Sequence, residues 1–149
     1  MSVLIRYTLV VPTDAIIGNP PYQVVDGGGN GAAAIPIYNK FVCTAKDMHP
    51  HYISMIMPAK WYGGGRGLDD FRKMMLNETH IDYIKDFPNP KSVFPTANIS
   101  GGVCFFRWSK THNSNIALFI NAFDGTTIES KRQLNEFLQY VENTVKLTQ

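Results

Sequence analysis

Two different periods of apolar residues alternate along this chain. Short apolar runs of the kind found in β-strands occur at residues 14–17, 53–58 and 81–87, and Pro12 separates the first of them from another run at 8–11. Between the runs, apolar residues recur every three or four positions over 34–48 and 68–76, which is typical of amphipathic helices. The pattern predicts alternating strands and helices, and so an α/β fold.

The predicted helices have identifiable buried faces. Helix 34–48 carries Pro36 in its first turn, where proline is tolerated. Its apolar face consists of Ile35, Tyr38, Phe41, Val42 and Ala45. Helix 68–76 has Asp69 and Asp70 at its N-terminal end, where the helix dipole favours negative charge. Its apolar stripe consists of Leu68, Phe71, Met74 and Met75.

The strands predict a mixed sheet. Residues 53–58 are apolar throughout, which fits a strand covered on both faces in a parallel sheet. Residues 103–108 and 116–123 are predicted to form an antiparallel hairpin across the turn 109–115. Ser130 and Gln133 have the spacing of a capping box, which predicts a last helix. Its buried residues would be Leu134, Phe137, Leu138, Val141 and Val145.

Composition limits the class of protein. The 149 residues are 44% hydrophobic and 17% charged, so one domain with a substantial core is expected. A net charge of +2 neither requires nor excludes nucleic acid. Cys43 and Cys104 stand in apolar runs without paired spacing, which indicates buried thiols in a reducing compartment. Apolar stretches are too short to span a membrane and no signal peptide is visible, so we expect a soluble cytoplasmic protein.

The segment Asn19-Pro20-Pro21-Tyr22 carries the most specific chemistry. It follows an apolar strand, and its two prolines make the backbone stiff and extended. It offers two hydrogen-bond acceptors, the Asn19 side-chain oxygen and the Pro20 carbonyl, beside the aromatic face of Tyr22. These groups suit a flat ring with an attached NH2 group. Acceptors held outside the ring plane would make that amine more nucleophilic and would stabilise the positive charge that grows during methyl transfer. The alternative interpretation is an ordinary proline-rich turn.

Asn19 to Tyr22 resembles the catalytic motif of amino-methyltransferases that use S-adenosylmethionine. Several downstream segments follow in an order similar to that of the adenine-N6 DNA methyltransferases of type II restriction-modification systems. They are Ala34 to Phe41, Met55 to Trp61, Gly63 to Leu68, Phe71-Arg72, Asp86 to Asn89 and Gly101 to Phe106. The resemblance covers most of residues 14–123. It implies Asn19, Pro20, Pro21 and Tyr22 as catalytic residues, S-adenosylmethionine as cofactor and double-stranded DNA as partner.

The resemblance also implies a fold. The chain would be the second half of a three-layer αβα methyltransferase fold, with a mixed sheet and a C-terminal antiparallel hairpin. In the family, the Gly-rich turn and the acidic residue that hold the cofactor precede the catalytic motif, and only 18 residues precede Asn19 here. We therefore expect residues 1–149 to form a single partial catalytic domain, inactive by itself, without the cofactor-binding half and the target-recognition domain. No cofactor-binding residue can be assigned.

The glycine cluster 27–31 is the one candidate substitute for the missing cofactor turn. It lies after the catalytic motif and lacks the G-x-G-x-x-G context, so it is a weak signal for cofactor binding. A flexible loop over the target-base pocket is the favoured interpretation.

Lys60, Trp61 and Arg66 are the candidate DNA-binding residues. They follow a predicted strand at its active-site end, where an aromatic ring would lie near a base swung out of the duplex and a cation would contact a phosphate. An equally weighted alternative is a tight turn with Trp61 packed beneath it. His49 and His51 have no third ligand at a suitable spacing, so a loop is preferred to a metal site.

The missing half predicts an unpaired strand edge beside Asn19, because the strand before the motif is central in the family's fold. Such an edge favours pairing with another chain. We expect either self-association or pairing with residues 1–11.

Two other functions stay open from the sequence. Methyltransferases that modify a glutamine side chain of translation factors carry the same tetrapeptide, since an amide NH2 poses the same chemical problem. A catalytically inert fold or assembly unit is the non-enzymatic alternative.

Overall fold

The computed structural model of the protein describes residues 13–25, 34–123 and 125–136. Eight strands and two α-helices follow one another in this part of the chain. They are β1 Ala15–Gly18, β2 Gln23–Val25, β3 Ala34–Pro36, α1 Tyr38–Asp47, β4 Tyr52–Pro58, α2 Asp69–Leu76, β5 Ile81–Phe87, β6 Val103–Ser109, β7 Ile116–Phe123 and β8 Thr126–Gln133. A 3₁₀ turn, Ala59–Tyr62, joins β4 to the loop before α2, and another covers Pro90–Ser92.

Six of the strands form one mixed sheet in the order β1-β4-β6-β5-β7-β8. β1, β4, β5 and β7 run in one direction, because β1 pairs parallel with β4 and β5 pairs parallel with β7, while β6 lies antiparallel between β4 and β5. β8 is antiparallel to β7. The carboxyl ends of four strands therefore meet at one edge, which is where open α/β sheets bind ligands.

One face of this sheet carries the core. Met55, Phe106, Ile84 and Phe119 are register partners across four strands, and all are at most 5% exposed. α1 and α2 pack on this face, and the Tyr38 and Phe71 rings join the two helices with centroids 6.0 Å apart. Both helices lie on the same side because both crossovers lead across the sheet in one direction, and crossovers between parallel strands are nearly always right-handed.

The opposite face is less covered, so the prediction that β4 is enclosed on both faces is wrong. Ser54 and Ile56 of β4 are only half-buried there, and Ile17 of β1 is 80% exposed. β4 also has one antiparallel neighbour, contrary to the expected parallel environment. The apolar run 53–58 reflects a strand with one buried face and some apolar residues on the other.

The predicted hairpin between residues 103–108 and 116–123 is also wrong. β6 and β7 do not pair, because β5 lies between them. The connecting loop crosses the start of β5, where the Ser109 and Ser114 amides donate to the carbonyls of His80 and Thr79 at 2.9 Å each. The C-terminal antiparallel hairpin is instead formed by β7 and β8.

The predicted helix start at the Ser130–Gln133 capping box is wrong, because both residues belong to β8. Pairing with β7 along eight residues outweighs a local capping pattern. The sequence did contain a hairpin signal, the dipeptide Asp124-Gly125. The rest of the predicted last helix, from residue 137 onward, lies outside the described residues.

Helix α1 begins at Tyr38, four residues later than predicted. Ala34–Pro36 forms β3, which pairs with β2 in a separate two-stranded ribbon. A residue before proline avoids helical backbone, which explains the extended conformation of Ile35. Tyr38, Val42 and Ala45 are buried as predicted, whereas Ile35 and Phe41 are 44% and 45% exposed. α2 matches its prediction closely, with Leu68, Phe71 and Met75 buried.

Strand β1 is an end strand of the sheet, and within the described part of the chain no strand pairs with its outer edge. The unpaired edge is as the sequence predicted. Residues 1–11, the alternative partner for that edge, and the glycine cluster 27–31 lie outside the described residues.

The carboxylate of Glu78, just after the end of α2, links that end to the last turn of α1. Glu78 binds Lys46 of α1, accepts a hydrogen bond from the His80 amide at 3.1 Å, and lies 2.7 Å from His80 Nδ1. Its side chain is 10% exposed. Burial alone would raise the pKa of Glu78, but the hydrogen bonds from Lys46 and His80 outweigh it and lower the pKa to about 2.

Glu78 should therefore make stability depend on acid pH. Because its folded pKa is depressed, its contribution is fully present above about pH 4.5 and is lost as the pH falls toward 2. We expect Glu78→Gln to lower the free energy of unfolding by about 2 kcal/mol at pH 6.5, with a difference from the wild type that shrinks at pH 3. Urea unfolding measures both values, with Glu129→Gln on exposed β8 as control. A deficit of equal size at both pH values would contradict the assignment.

No helix in the described ranges is long and apolar enough to cross a membrane. The same residues contain no cluster of three or more His, Cys, Asp or Glu side chains suited to a metal ion.

Candidate active site

Asn19 to Tyr22 lies at the edge of the sheet where the parallel strands end. β1 ends at Gly18, whose register partner in the neighbouring strand is Met55. The 3₁₀ turn Ala59–Tyr62 follows directly from the end of that neighbour, β4. Gly101 and Gly102 precede β6 at the same edge, and the Ala59 amide donates to the Gly102 carbonyl at 3.1 Å. Two segments distant in sequence thus converge beside the tetrapeptide.

The tetrapeptide itself is partly open. Asn19 and Pro21 are exposed, Pro20 is buried and Tyr22 is half-buried. The Tyr22 carbonyl accepts a hydrogen bond from the Ile37 amide at 3.2 Å, which ties the end of the motif to the start of α1. The Asn19 side chain is therefore accessible, on a backbone fixed by two prolines and this contact.

Tyr22 presents a neutral ring. Its hydroxyl is enclosed and has no hydrogen-bond partner among the described residues. Burial raises the pKa of the Tyr22 phenol, and the nearby Cys104 thiol adds to the shift. Because the pKa is raised above its ordinary value of 10.0, the phenol stays protonated at neutral pH, and its ring is a neutral stacking surface.

A cavity of about 580 Å³ adjoins this ring. Its size lies within the range of ligand sites, about 300–1,000 Å³. Tyr22 and Gln23 line one side, and Ala34 and Pro36 of the ribbon continue that wall. The rest comes from the segments after β4 and before β6 and from the start of α1, chiefly Tyr38, Lys60, Arg66, Asn98 and Ser100.

Two of the three predicted DNA-binding residues line the cavity. The side chains of Lys60 and Arg66 form no ion pair within the part of the chain that the structure describes. Gly101 stands against the Lys60 stem, since a Cβ on Gly101 would lie 3.2 Å from Lys60 Cγ. The site thus has two cations free to meet an anionic ligand.

Trp61, the third predicted residue, is 1% exposed and does not line this cavity. Its Nε1 donates to Cys104 Sγ at 3.3 Å, and its ring contacts Phe71 with centroids 6.1 Å apart. This placement matches the alternative in which Trp61 packs beneath the turn.

A second cavity of about 120 Å³ lies under the same turn, between Trp61, Tyr62, Asp86 and Asn121. Burial raises the pKa of Asp86, although Asn121 and Tyr62 offset part of the shift. Burial also raises the pKa of Cys104 to about 12, so this thiol is not a nucleophile at neutral pH. Neither group lines the cavity beside Tyr22.

Comparison with known families decides the class. Residues 13–94, more than half of the chain, match the model of the Eco57I restriction-modification methylase family. The chain belongs to this family. The matched residues include Asn19 to Tyr22 as well as Lys60, Trp61 and Arg66, and the resemblance found from the sequence is confirmed.

A curated protein of Mycoplasma pneumoniae, described as an uncharacterized adenine-specific methylase, is similar to this chain. The two are 34% identical over 143 residues, which is 93% of this chain and 34% of the relative. The chain thus spans about a third of the length of the curated relative that it matches.

Solved structures share the methylase fold. The type IIG restriction endonuclease BpuSI is 14% identical with a TM-score of 0.58, over 86% of this chain and 20% of its own. The methyltransferase subunit of a type I restriction-modification system from Streptococcus thermophilus is 17% identical with a TM-score of 0.52, over 91% of this chain and 32% of its own. At these identities the likeness establishes the α/β methyltransferase fold, as predicted.

Several residues that line the large cavity were missed from the sequence. Tyr38 lines the cavity, yet its place in the apolar stripe of α1 made it look like an ordinary core residue. Asn98 and Ser100 lie in a segment without periodicity. The following Gly101-Gly102 pair was the available signal, because adjacent glycines indicate a close approach of the backbone at the site.

Proposed function

We propose that this chain holds the target adenine in an adenine-N6 DNA methyltransferase of a restriction-modification system. The observation that carries the proposal is the position of Tyr22, which lines a cavity at the carboxyl edge of the sheet together with Lys60 and Arg66, two cations that form no ion pair with any described residue. Membership of the Eco57I methylase family supports the reaction class.

The tetrapeptide activates and holds the amine. A flipped adenine stacks on the neutral Tyr22 ring, and its NH2 group donates to the Asn19 side-chain oxygen and the Pro20 carbonyl. Accepting both hydrogens outside the ring plane draws the nitrogen lone pair out of conjugation. As the nitrogen becomes positively charged, these bonds strengthen, which lowers the barrier.

No strong general base is required. The amine loses its proton after the methyl group is transferred, when it is acidic enough for water to accept the proton. Asp86, whose pKa is raised, belongs to the second cavity and takes no part in this scheme.

Methyltransferases of this family use S-adenosylmethionine, which would supply the methyl group. Among the described residues, those that line the large cavity include no carboxylate, the group that would hold the ribose hydroxyls of this cofactor. We therefore assign no cofactor-binding residue in the described part of the chain, and we propose that the main cofactor contacts come from another part of the complete enzyme.

A methylation assay tests the proposal. The complete enzyme is incubated with duplex DNA and S-adenosylmethionine, and the DNA is digested to nucleosides for mass spectrometry. We expect N6-methyladenine. A Gly-Gly-Gln peptide in a parallel reaction tests modification of glutamine. Methylation of that peptide alone, or of cytosine alone, would refute the assignment.

The exposed edge of β1 supports a second part of the proposal, that this chain associates through that edge with another copy or another segment. Light scattering checks this, and a monodisperse monomer whose residues 1–11 form no strand would contradict it. A cytoplasmic location is also proposed, in keeping with the free thiols of Cys43 and Cys104.

A further inference from the structure

The loop between the 3₁₀ turn and α2, residues Gly63–Gly67, has an unusual backbone. Gly64, Gly65, Arg66 and Gly67 have φ angles of 68°, 75°, 51° and 79°. Gly63, directly before them, is in the right-handed region, with φ −86° and ψ −15°. The step from right-handed Gly63 to left-handed Gly64 turns the amides of residues 63–65 toward one concave side, an arrangement that can hold an acceptor. The left-handed residues that follow carry the next two amides, those of Arg66 and Gly67. We call residues 63–67 the glycine loop.

The hydrogen bonds of the glycine loop leave two amides available. The first three amides of the loop donate within the protein: Gly63 to the Lys60 carbonyl, Gly64 to the Trp61 carbonyl and Gly65 to Asp69 Oδ1. The amide of Leu68, directly after the loop, donates to the Gly65 carbonyl. The amides of Arg66 and Gly67 donate to no acceptor among the described residues. They are the free donors of the loop.

Charge around the loop favours one anion. Arg66 contributes its own guanidinium, and Lys60 reaches the same cavity from the 3₁₀ turn. The Asp69 carboxylate is the opposing charge, and it is held 2.9 Å from the Gly65 amide, where it also keeps the loop in shape. Two cations against one carboxylate leave a net positive site.

Arg66 is the one residue of the positive-φ series that is not glycine. A side chain there costs conformational energy that glycine would avoid. Arg66 lines the cavity, and its amide has no acceptor among the described residues. The strained residue therefore lies where two of its groups can meet one ligand.

We propose that the glycine loop and Lys60 bind one phosphate of the DNA backbone beside the target nucleotide. One non-bridging oxygen accepts from the amides of Arg66 and Gly67, and the other faces the Lys60 ammonium and the Arg66 guanidinium. The assignment rests on the proposed function, since the phosphate belongs to the DNA whose base occupies the adjoining cavity. Its effect is to fix the position of the flipped nucleotide.

Single neutral linkages test the phosphate contact. The phosphates flanking the target adenine are replaced one at a time by methylphosphonates, and the Kd of the complete enzyme is measured by fluorescence anisotropy. We expect one linkage to weaken binding to the wild type about tenfold, in keeping with the loss of charge-assisted hydrogen bonds. The same linkage should weaken Lys60→Gln and Arg66→Asn by less than about threefold. Asparagine suits this test because it tolerates positive φ.

A matched control separates local contact from general charge. Lys73→Asn removes one cation from an exposed position on α2. Each variant of Lys60 or Arg66 should lower the slope of log K against log salt by about 0.9, and the Lys73 variant should retain the methylphosphonate effect. If each methylphosphonate linkage weakens DNA binding by Arg66→Asn and by Lys73→Asn by the same factor, the phosphate site is overturned.

An NMR titration distinguishes this site from the proposed function. Inorganic phosphate added to the chain should shift the Arg66 and Gly67 amide resonances saturably, whereas chloride at equal ionic strength should not. S-adenosylmethionine, which carries a carboxylate, is titrated in parallel, and shifts of these amides by that cofactor without any sensitive DNA linkage would overturn the assignment. If the enzyme methylates adenine but no methylphosphonate linkage weakens its binding, the phosphate site is refuted and the proposed function stands. If inorganic phosphate shifts the two amide resonances but the enzyme does not methylate DNA, the loop is an anion site and its assignment to DNA is refuted.

Discussion

Replacement of Asn19 by alanine should lower the rate of methyl transfer about 100- to 1,000-fold, the usual effect of removing one hydrogen-bonding group from a developing charge. The Asn19 oxygen accepts from a neutral amine in the bound substrate, where one such bond contributes about 1 kcal/mol. It accepts from a nitrogen that becomes positively charged as the methyl group arrives. The rate should therefore fall far more than the affinity, which should change by less than about fivefold.

Single-turnover methylation and DNA-binding measurements on the complete enzyme separate these effects. Asn19→Asp keeps an acceptor oxygen and should retain much more of the rate than Asn19→Ala. Asn113→Ala, at an exposed position in the β6–β7 turn, is the matched control. Because Asn19 is exposed, its replacement should leave Tm unchanged. Equal losses of rate and affinity would mean that Asn19 contributes only uniform binding.

The spacing of apolar residues correctly predicted the strands and helices whose burial it reflects directly. β4, α2 and β5 were placed within about one residue, because continuous apolar runs and helical spacing reflect burial in this fold directly. The errors arose where pairing is distant. Nothing in residues 103–123 alone shows that β5 enters between β6 and β7, since that order depends on contacts made by residues 79–87.

The same distinction applies to the site. Asn19 to Tyr22, Lys60 and Arg66 were predicted because they follow recognisable strands, and of these Tyr22, Lys60 and Arg66 line the large cavity. Tyr38 was missed, because one side chain can belong to the core and also line a cavity. Asn98 and Ser100 become neighbours of Tyr22 only through the order of the strands. A linear sequence specifies that order through packing across the whole sheet, which no short segment contains.

Gly102→Ala should be the most destabilising of the glycine substitutions at this edge. Gly102 has φ 77°, and a Cβ there would lie 2.8 Å from the Phe87 carbonyl oxygen and 3.2 Å from Pro88 Cα. Both neighbours are backbone atoms, so they cannot move aside as a flexible side chain would. Conformational strain of about 1–3 kcal/mol adds to a steric cost of similar size, and we expect a total of about 3 kcal/mol.

The measurement is urea unfolding of the wild type and of Gly102→Ala, with Gly125→Ala as the matched control. Gly125 has φ 88° but no atom within 4 Å of its built Cβ, so its replacement reports conformational strain alone, about 1 kcal/mol. The difference between the variants isolates the clash with Phe87 and Pro88. Because the Gly102 carbonyl also accepts from the Ala59 amide, Gly102→Ala should displace the turn that carries Lys60 and weaken DNA binding as well. If the two variants lost equal free energies of unfolding, the close approach of Gly102 to β5 would contribute nothing to stability. The position of Lys60 would then have to depend on other contacts.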